Sequence, residues 1–166
     1  MNDFNLDKLS PLKSLKLVGL REYFSNLKNL YDNGKMPKVI LLSGEKGIGK
    51  FTMIFHIINY ILTKNTEYQY NLDEFLIDEN NKTYKRILLN IDYNFSHIGS
   101  DITNSTKIEN IRDLKKKFFN SNFNNLPRFT ILDDVELMNA NSANALLKLI
   151  EEPSLNNYFI LINNKK

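Results

Sequence analysis

Apolar positions along the chain switch between a helical period and short continuous runs. Leu20, Tyr23, Phe24, Leu27, Leu30 and Tyr31 recur at helical spacing and predict a first helix, stopped by Asn33-Gly34. Val39-Ile40-Leu41-Leu42 is a short run of continuous apolarity. It predicts a strand buried on both faces, as in a parallel sheet. Ile54, Ile57, Ile58, Ile61 and Leu62 form the stripe of a second helix, with His56 off that stripe and expected at the surface. Ile87-Leu88-Leu89-Asn90-Ile91 reads as a second strand. Ile108, Ile111, Leu114 and Phe118 mark a third helix, with Lys115-Lys116-Lys117 on its solvent side. Phe129-Thr130-Ile131-Leu132 predicts a third strand, running into Asp133-Asp134. Ala143, Leu146, Leu147 and Ile150 predict a fourth helix, stopped by Glu151-Glu152-Pro153. Tyr158-Phe159-Ile160-Leu161-Ile162 reads as a fourth strand.

Residues 1–18 carry no period and read as a leader or a docking strap, leaving 19–166 as the folded core. Residues 64–84 are polar and irregular, as in an insertion, and 93–106 read as a loop containing His97. Strands alternating with helices predict an α/β domain with a mainly parallel sheet and right-handed crossovers.

Composition narrows the chemistry. At 166 residues the chain suits one domain with a real core. It has no Cys, which excludes a disulfide scaffold, a Cys-ligated zinc site and a thiol nucleophile. His56 and His97 are its only histidines, too few for a His-rich metal site. A net charge of +3 is too mild to argue for nucleic acid by itself. No apolar run approaches a membrane span, and Met1-Asn2-Asp3-Phe4 lacks a signal pattern, so a cytoplasmic protein is expected. The heavy use of Asn reads as coding bias and is given no functional weight.

The strongest local signal is Gly44-Glu45-Lys46-Gly47-Ile48-Gly49-Lys50, which fits G-x-x-x-x-G-K between a predicted strand and a predicted helix. Glycines let the backbone turn so that successive N–H groups face one point. The following helix adds its N-terminal partial positive charge, and Lys50 a full charge for the β and γ phosphates. The motif wants Ser or Thr next, to ligate Mg²⁺, but Phe51 stands there and Thr52 follows one later. One residue is about 100° of helix rotation, so Thr52 cannot simply substitute. Nucleotide binding is plausible on this loop, whereas Mg²⁺-dependent hydrolysis is not expected to be strong.

The third strand ends in two carboxylates at the edge where ligand chemistry sits in parallel sheets. Asp133 would hold Mg²⁺ through its water shell. The next position commonly carries a Glu that orients the attacking water; Asp134 is one methylene shorter. A misplacement of about 1 Å can cost about 10²-fold in rate, so slow or absent turnover is expected.

Together with these features, Asp133-Asp134-Val135-Glu136-Leu137-Met138-Asn139 and the run Ser142-Ala143-Asn144-Ala145-Leu146-Leu147-Lys148-Leu149-Ile150-Glu151-Glu152-Pro153 resemble the clamp-loader branch of the AAA+ ATPases. The Ala143–Pro153 run is close to a signature of bacterial DNA polymerase III clamp-loader subunits. Gly47-Ile48-Gly49-Lys50-Phe51-Thr52, Ile108-Glu109-Asn110-Ile111-Arg112, and Gly19 followed by Met36-Pro37 resemble the delta-prime subunit more than gamma/tau.

The resemblance implies a P-loop NTPase core, a three-layer sandwich with about four parallel strands. It implies a role in loading the sliding clamp onto primed DNA, beside gamma/tau and delta subunits. It also implies ATP and Mg as the family's cofactors, at a degenerate site in a mainly scaffolding subunit. Asn163 occupies the place of the family's γ-phosphate sensor, and a turn-forming Asn is the equal alternative there. The family's four-Cys zinc module cannot exist here. Its Ser-Arg-Cys motif, fifth strand, lid and collar lie beyond the fourth strand, so Val39–Leu42 is expected at an open sheet edge. Two other readings stay open: an active AAA+ ATPase of another assembly, and a nucleotide-independent binding domain that keeps the loop as a relic.

Overall fold

The computed structural model of the chain describes residues 10–99, 125–151, 153 and 156–165. The predicted third helix, the lysines at 115–117 and the 108–112 motif lie outside the described residues. The chain forms two compact units. One is helical and comprises the described residues up to Met36 together with Gly49–Asp92; the other holds the sheet and comprises Pro37–Ile48 and the described residues from Tyr93 on. Among the described residues, no helix is long and apolar enough to cross a membrane.

The sheet unit contains β1 (Val39–Ser43), β2 (Phe95–Ile98), β3 (Arg128–Leu132), α4 (Ala140–Ile150) and β4 (Asn157–Asn163). All pairings are parallel and the order is β1-β4-β3-β2, the α/β sheet that the alternation of elements predicts. Burial follows this order. Every residue of central β3 is buried, and β4 is buried at Asn157, Phe159, Ile160 and Ile162. β1 was expected to be buried on both faces, but it has only β4 as a neighbour among the described residues, and Leu41 is 61% exposed. A continuous apolar run therefore does not distinguish a central strand from an edge strand. α4 begins where the Asn139 side chain accepts from Ser142 N–H, and its Leu146 packs with Leu132 and Phe159 in a buried cluster rimmed by Val39, Met138 and Leu161.

β2 corrects the sequence reading. The second strand is Phe95–Ile98, inside the segment read as loop, and His97 lies on it. The run expected to be that strand, Ile87–Ile91, instead ends a helix.

The helical unit contains α1 (Arg21–Asp32), α2 (Lys50–Thr63) and α3 (Lys82–Leu88). α1 ends as its Asn33-Gly34 stop predicts. Gly34 has φ +67°, its N–H bonds Tyr31 O at 2.9 Å, and Lys35 N–H reaches back to Leu30 O at 2.8 Å. α3 ends the same way with Asn90 in the glycine role. Asn90 has φ 56°, bonds Ile87 O at 2.9 Å, and Ile91 N–H reaches Arg86 O at 3.0 Å. At its start, the Asn81 side chain accepts from Thr83 and Tyr84 N–H. Thr83, Tyr84 and Ile87 face inward, whereas Leu89 and Ile91 are 69% and 66% exposed. The apolar run is thus the capped end of a helix, because short runs do not carry enough period to choose.

α2 is buried at every position but Thr52, and it packs on α1, α3 and the 3₁₀ turn Pro11–Lys13. Phe24 of α1 is fully buried, with Tyr60, Tyr70 and Phe75 rings 5.3–6.4 Å from its own, while Tyr23 is 62% exposed. The strap before α1 is docked. Leu17 N–H bonds Phe75 O, Ile77 N–H bonds Leu15 O, and Leu17 is buried.

His56 is not on the surface but has no exposed area at all. Its Nε2 lies 2.9 Å from Ser14 O, and its Nδ1 lies 2.9 Å from the Tyr70 hydroxyl. A carbonyl can only accept, so Nε2 carries the proton and donates, and Nδ1 accepts from Tyr70. Burial pushes the imidazole pKa down from 6.5 to about 4, against the smaller upward pull of the Ser14 bond. Burial also raises the Tyr70 pKa, keeping its hydroxyl a donor.

Between these two imidazole values the unfolded chain binds a proton that the folded chain refuses. His56 therefore stabilises the fold fully above pH 6.5, and its contribution falls as pH drops towards 4. The expected loss is roughly 3 kcal/mol across that window. Urea denaturation as a function of pH checks it: His56→Leu should flatten this part of the profile, even though its stability at neutral pH is lower.

Candidate functional site

Because all four strands are parallel, their C-terminal ends share one edge of the sheet. Three of them carry the residues that the sequence singled out. Gly44 to Ile48 leave the end of β1, Asp133 and Asp134 leave β3, and Asn163 closes β4. The register pairs Ser43 with Asn163 and Leu132 with Leu161, and the main chain ties Gly44 N–H to Asn163 O at 3.3 Å.

Asp133 N–H bonds Ile98 O at 2.8 Å, which continues the β2–β3 ladder and fixes where the acidic pair emerges. Its Oδ1 accepts from Asp134 N–H at 2.8 Å. Asp134 then adopts φ 51° and ψ 43°, a left-handed conformation that Asp tolerates better than most residues, and opens the 3₁₀ turn Val135–Leu137. Its side chain is only 11% exposed.

Two groups reach this carboxylate. Lys46 Nζ lies 3.2 Å from Asp134 Oδ1 and 3.4 Å from Oδ2. Asn164 Nδ2 donates to Asp134 Oδ1 at 2.7 Å and to Asp133 Oδ1 at 3.0 Å. The two hydrogens of one amide thus bridge two neighbouring acids. Asn164 N–H also bonds Glu136 Oε2 at 3.1 Å, so a third carboxylate is held to the same residue. The side chain that reaches the acidic pair is therefore Asn164. Asn163 uses its Oδ1 to accept from Lys165 N–H at 3.0 Å, as a turn-forming Asn does. Two consecutive asparagines give no sequence signal to choose between them; only the end of the strand ladder does.

Gly47 has φ +88°, with open space where a Cβ would project, so glycine serves its backbone conformation and not a close approach. The remaining residues of the glycine-rich run belong to the helical unit. Gly49, at φ +94°, is the N-cap of α2, and its O accepts from Met53 N–H at 2.9 Å. Lys50 and Phe51 open the helix and are buried, while Thr52 is half-buried. The Phe51 ring lies 6.5 Å from that of Phe55. Glu45 is exposed and Ile48 is 48% exposed.

The position that should offer a hydroxyl to Mg²⁺ offers a buried phenyl ring, and Asp134 already carries an ammonium. Among the described residues no group of three His, Cys, Asp or Glu side chains could hold a metal ion.

Residues 19–166 match the model of the family described as DNA polymerase III, delta subunit, and the chain belongs to that family. It is 27% identical over 154 residues to the DNA polymerase III subunit gamma of Buchnera aphidicola subsp. Schizaphis graminum, covering 93% of this chain and 40% of that protein. It is 24% identical over 144 residues to the delta' subunit of the same organism, covering 84% of this chain and 41% of that one. A solved gamma-subunit-related protein of Thermotoga maritima is 18% identical with a TM-score of 0.47, covering 84% of this chain and 38% of that one. The chain thus spans about two fifths of the length of these two Buchnera relatives.

If Asn164 braces the acidic pair, Asn164→Leu should lose about 1–3 kcal/mol of stability, since it strips two carboxylates of a donor. Asn163→Ala should stay within about 0.5 kcal/mol, as most surface changes do. Urea denaturation of the two variants separates them, and the reverse order would assign the bracing role to Asn163.

Proposed function

We propose that the chain provides the AAA+ core of a delta-prime-like subunit of the bacterial DNA polymerase III clamp loader, acting in the cytoplasm. In this reading it binds ATP through Gly44–Thr52, with Lys50 as the phosphate-facing cation, and turns it over slowly or not at all. The observation that carries the reading is the buried Phe51 at the hydroxyl position of an otherwise intact loop. The loop's backbone keeps the left-handed glycines that a phosphate cradle needs. Asp133 and Asp134, the residues that would position Mg²⁺ and the attacking water, are instead bridged to each other by Asn164.

Such a subunit would work as a scaffold. Its partners would be gamma/tau and delta subunits, with the sliding clamp and primed DNA reached through the complex. Family membership and the gamma and delta' names of its relatives support this role.

Calorimetry on the chain should show ATP binding that is lost in Lys50→Ala, with no phosphate release above background. Pull-down against purified gamma/tau and delta subunits should retain the chain whether or not nucleotide is present. Robust hydrolysis that disappears in Lys50→Ala would overturn the scaffold reading in favour of an active motor. An absence of ATP binding would favour the nucleotide-independent alternative.

A further inference from the structure

We infer that the Lys46 ammonium takes the place of a divalent cation at the acidic end of β3, so that this site disfavours Mg²⁺. The inference deepens the nucleotide-site reading, and rests on it only for its consequence for ATP.

Three carboxylates, Asp133, Asp134 and Glu136, are gathered around one residue, Asn164. Acids this close need compensation, above all Asp134, whose side chain is mostly withdrawn from water. Asn164 supplies dipoles; Lys46 supplies a full charge, and its Nζ lies within 3.2–3.4 Å of both Asp134 oxygens. A Mg²⁺ ion approaches carboxylate oxygen at about 2.0–2.1 Å and demands near-octahedral ligands. An ion or its waters on this carboxylate would meet the ammonium, and a +2 and a +1 charge on one acid repel each other. Metal entry therefore requires Lys46 to leave.

Lys46 belongs to the glycine-rich run itself, so the bridge also ties that run to the acidic strand end. Its side chain is 73% exposed, so the pair contributes little to stability. Its effect is on occupancy. Phe51 points the same way from the opposite end of the run, since it supplies no hydroxyl to a metal. On the nucleotide reading, ATP would gain little from a metal ion at this strand end.

Lys46→Met removes the charge and keeps an unbranched stem. Mn²⁺ titration of the nucleotide-free chain, followed by electron paramagnetic resonance, tests this directly. Lys46→Met should bind Mn²⁺ at a single site that disappears when Asp134→Asn is added, and the wild-type chain and Lys46→Arg should bind it about fivefold more weakly. Thermal melting gives a second readout, with Mg²⁺ raising the Tm of Lys46→Met more than that of wild type. Equal Mn²⁺ affinity in wild type and Lys46→Met would overturn the inference, and so would a Lys46→Met with no site. For nucleotide, wild-type affinity for ATP should be the same within about twofold in EDTA and in Mg²⁺. A tenfold gain from Mg²⁺ would overturn it as well. If ATP does not bind at all, the nucleotide reading fails, and the Mn²⁺ titration still decides the role of Lys46.

Discussion

β4 lies between β1 and β3, and the site depends on that insertion. Neither the glycine-rich run after β1 nor the acidic pair after β3 reaches the other through a shared strand ladder. Both are bonded to the residues that close β4: Gly44 to the Asn163 carbonyl, and Asp133, Asp134 and Glu136 to Asn164. The pairing partners of β4 are distant in sequence, Val39 with Phe159 at one side and Arg128 with Asn157 at the other. Contacts of such separation pay loop-closure entropy before they return any bonding. The acidic cluster is therefore expected to organise late, once the last strand has docked.

That dependence shapes the electrostatics. A carboxylate at the end of a parallel strand can be satisfied by a metal, by water or by protein donors. Here the strand register delivers an amide to two acids at once, and a loop lysine adds charge to the less exposed of them. The result is a polar cluster whose members meet one another instead of facing outward. The left-handed backbone at Asp134 costs some strain, which such a cluster can hold in place. In chemical terms the edge is arranged for a fixed constellation of charges.

Much of this was legible in the sequence. α1, α2, α4, β1, β3 and β4 follow from apolar period and run length, because each spans enough residues to express one. α3 and β2 did not, for opposite reasons. Ile87–Ile91 is apolar but belongs to a helix terminus, with Asn81 and Asn90 as the caps that define it. Phe95-Ser96-His97-Ile98 is too polar and short to announce a strand, and exists through its ladder with β3. His56 was misplaced because α2 is buried nearly all round, so being off the stripe does not mean facing water. Asparagine use, read as coding bias, turns out to do local structural work at Asn81, Asn90, Asn139 and Asn164. A capping or bracing amide depends on backbone geometry that residue identity alone does not reveal.

The glycine-rich run itself carries the remaining tension. Gly47 and Gly49 are left-handed, as the spacing of the glycine-rich motif leads one to expect, yet the residue after its lysine is committed to the apolar interior. These two facts need not compete. Gly47 and Gly49 both hold positive φ, a conformation that favours glycine whatever the run binds. Once α2 is buried on nearly every face, Phe51 strengthens the helix by the same burial that removes it from metal chemistry. The glycines thus answer to backbone conformation, and the phenyl ring beside Lys50 to the packing of the helix.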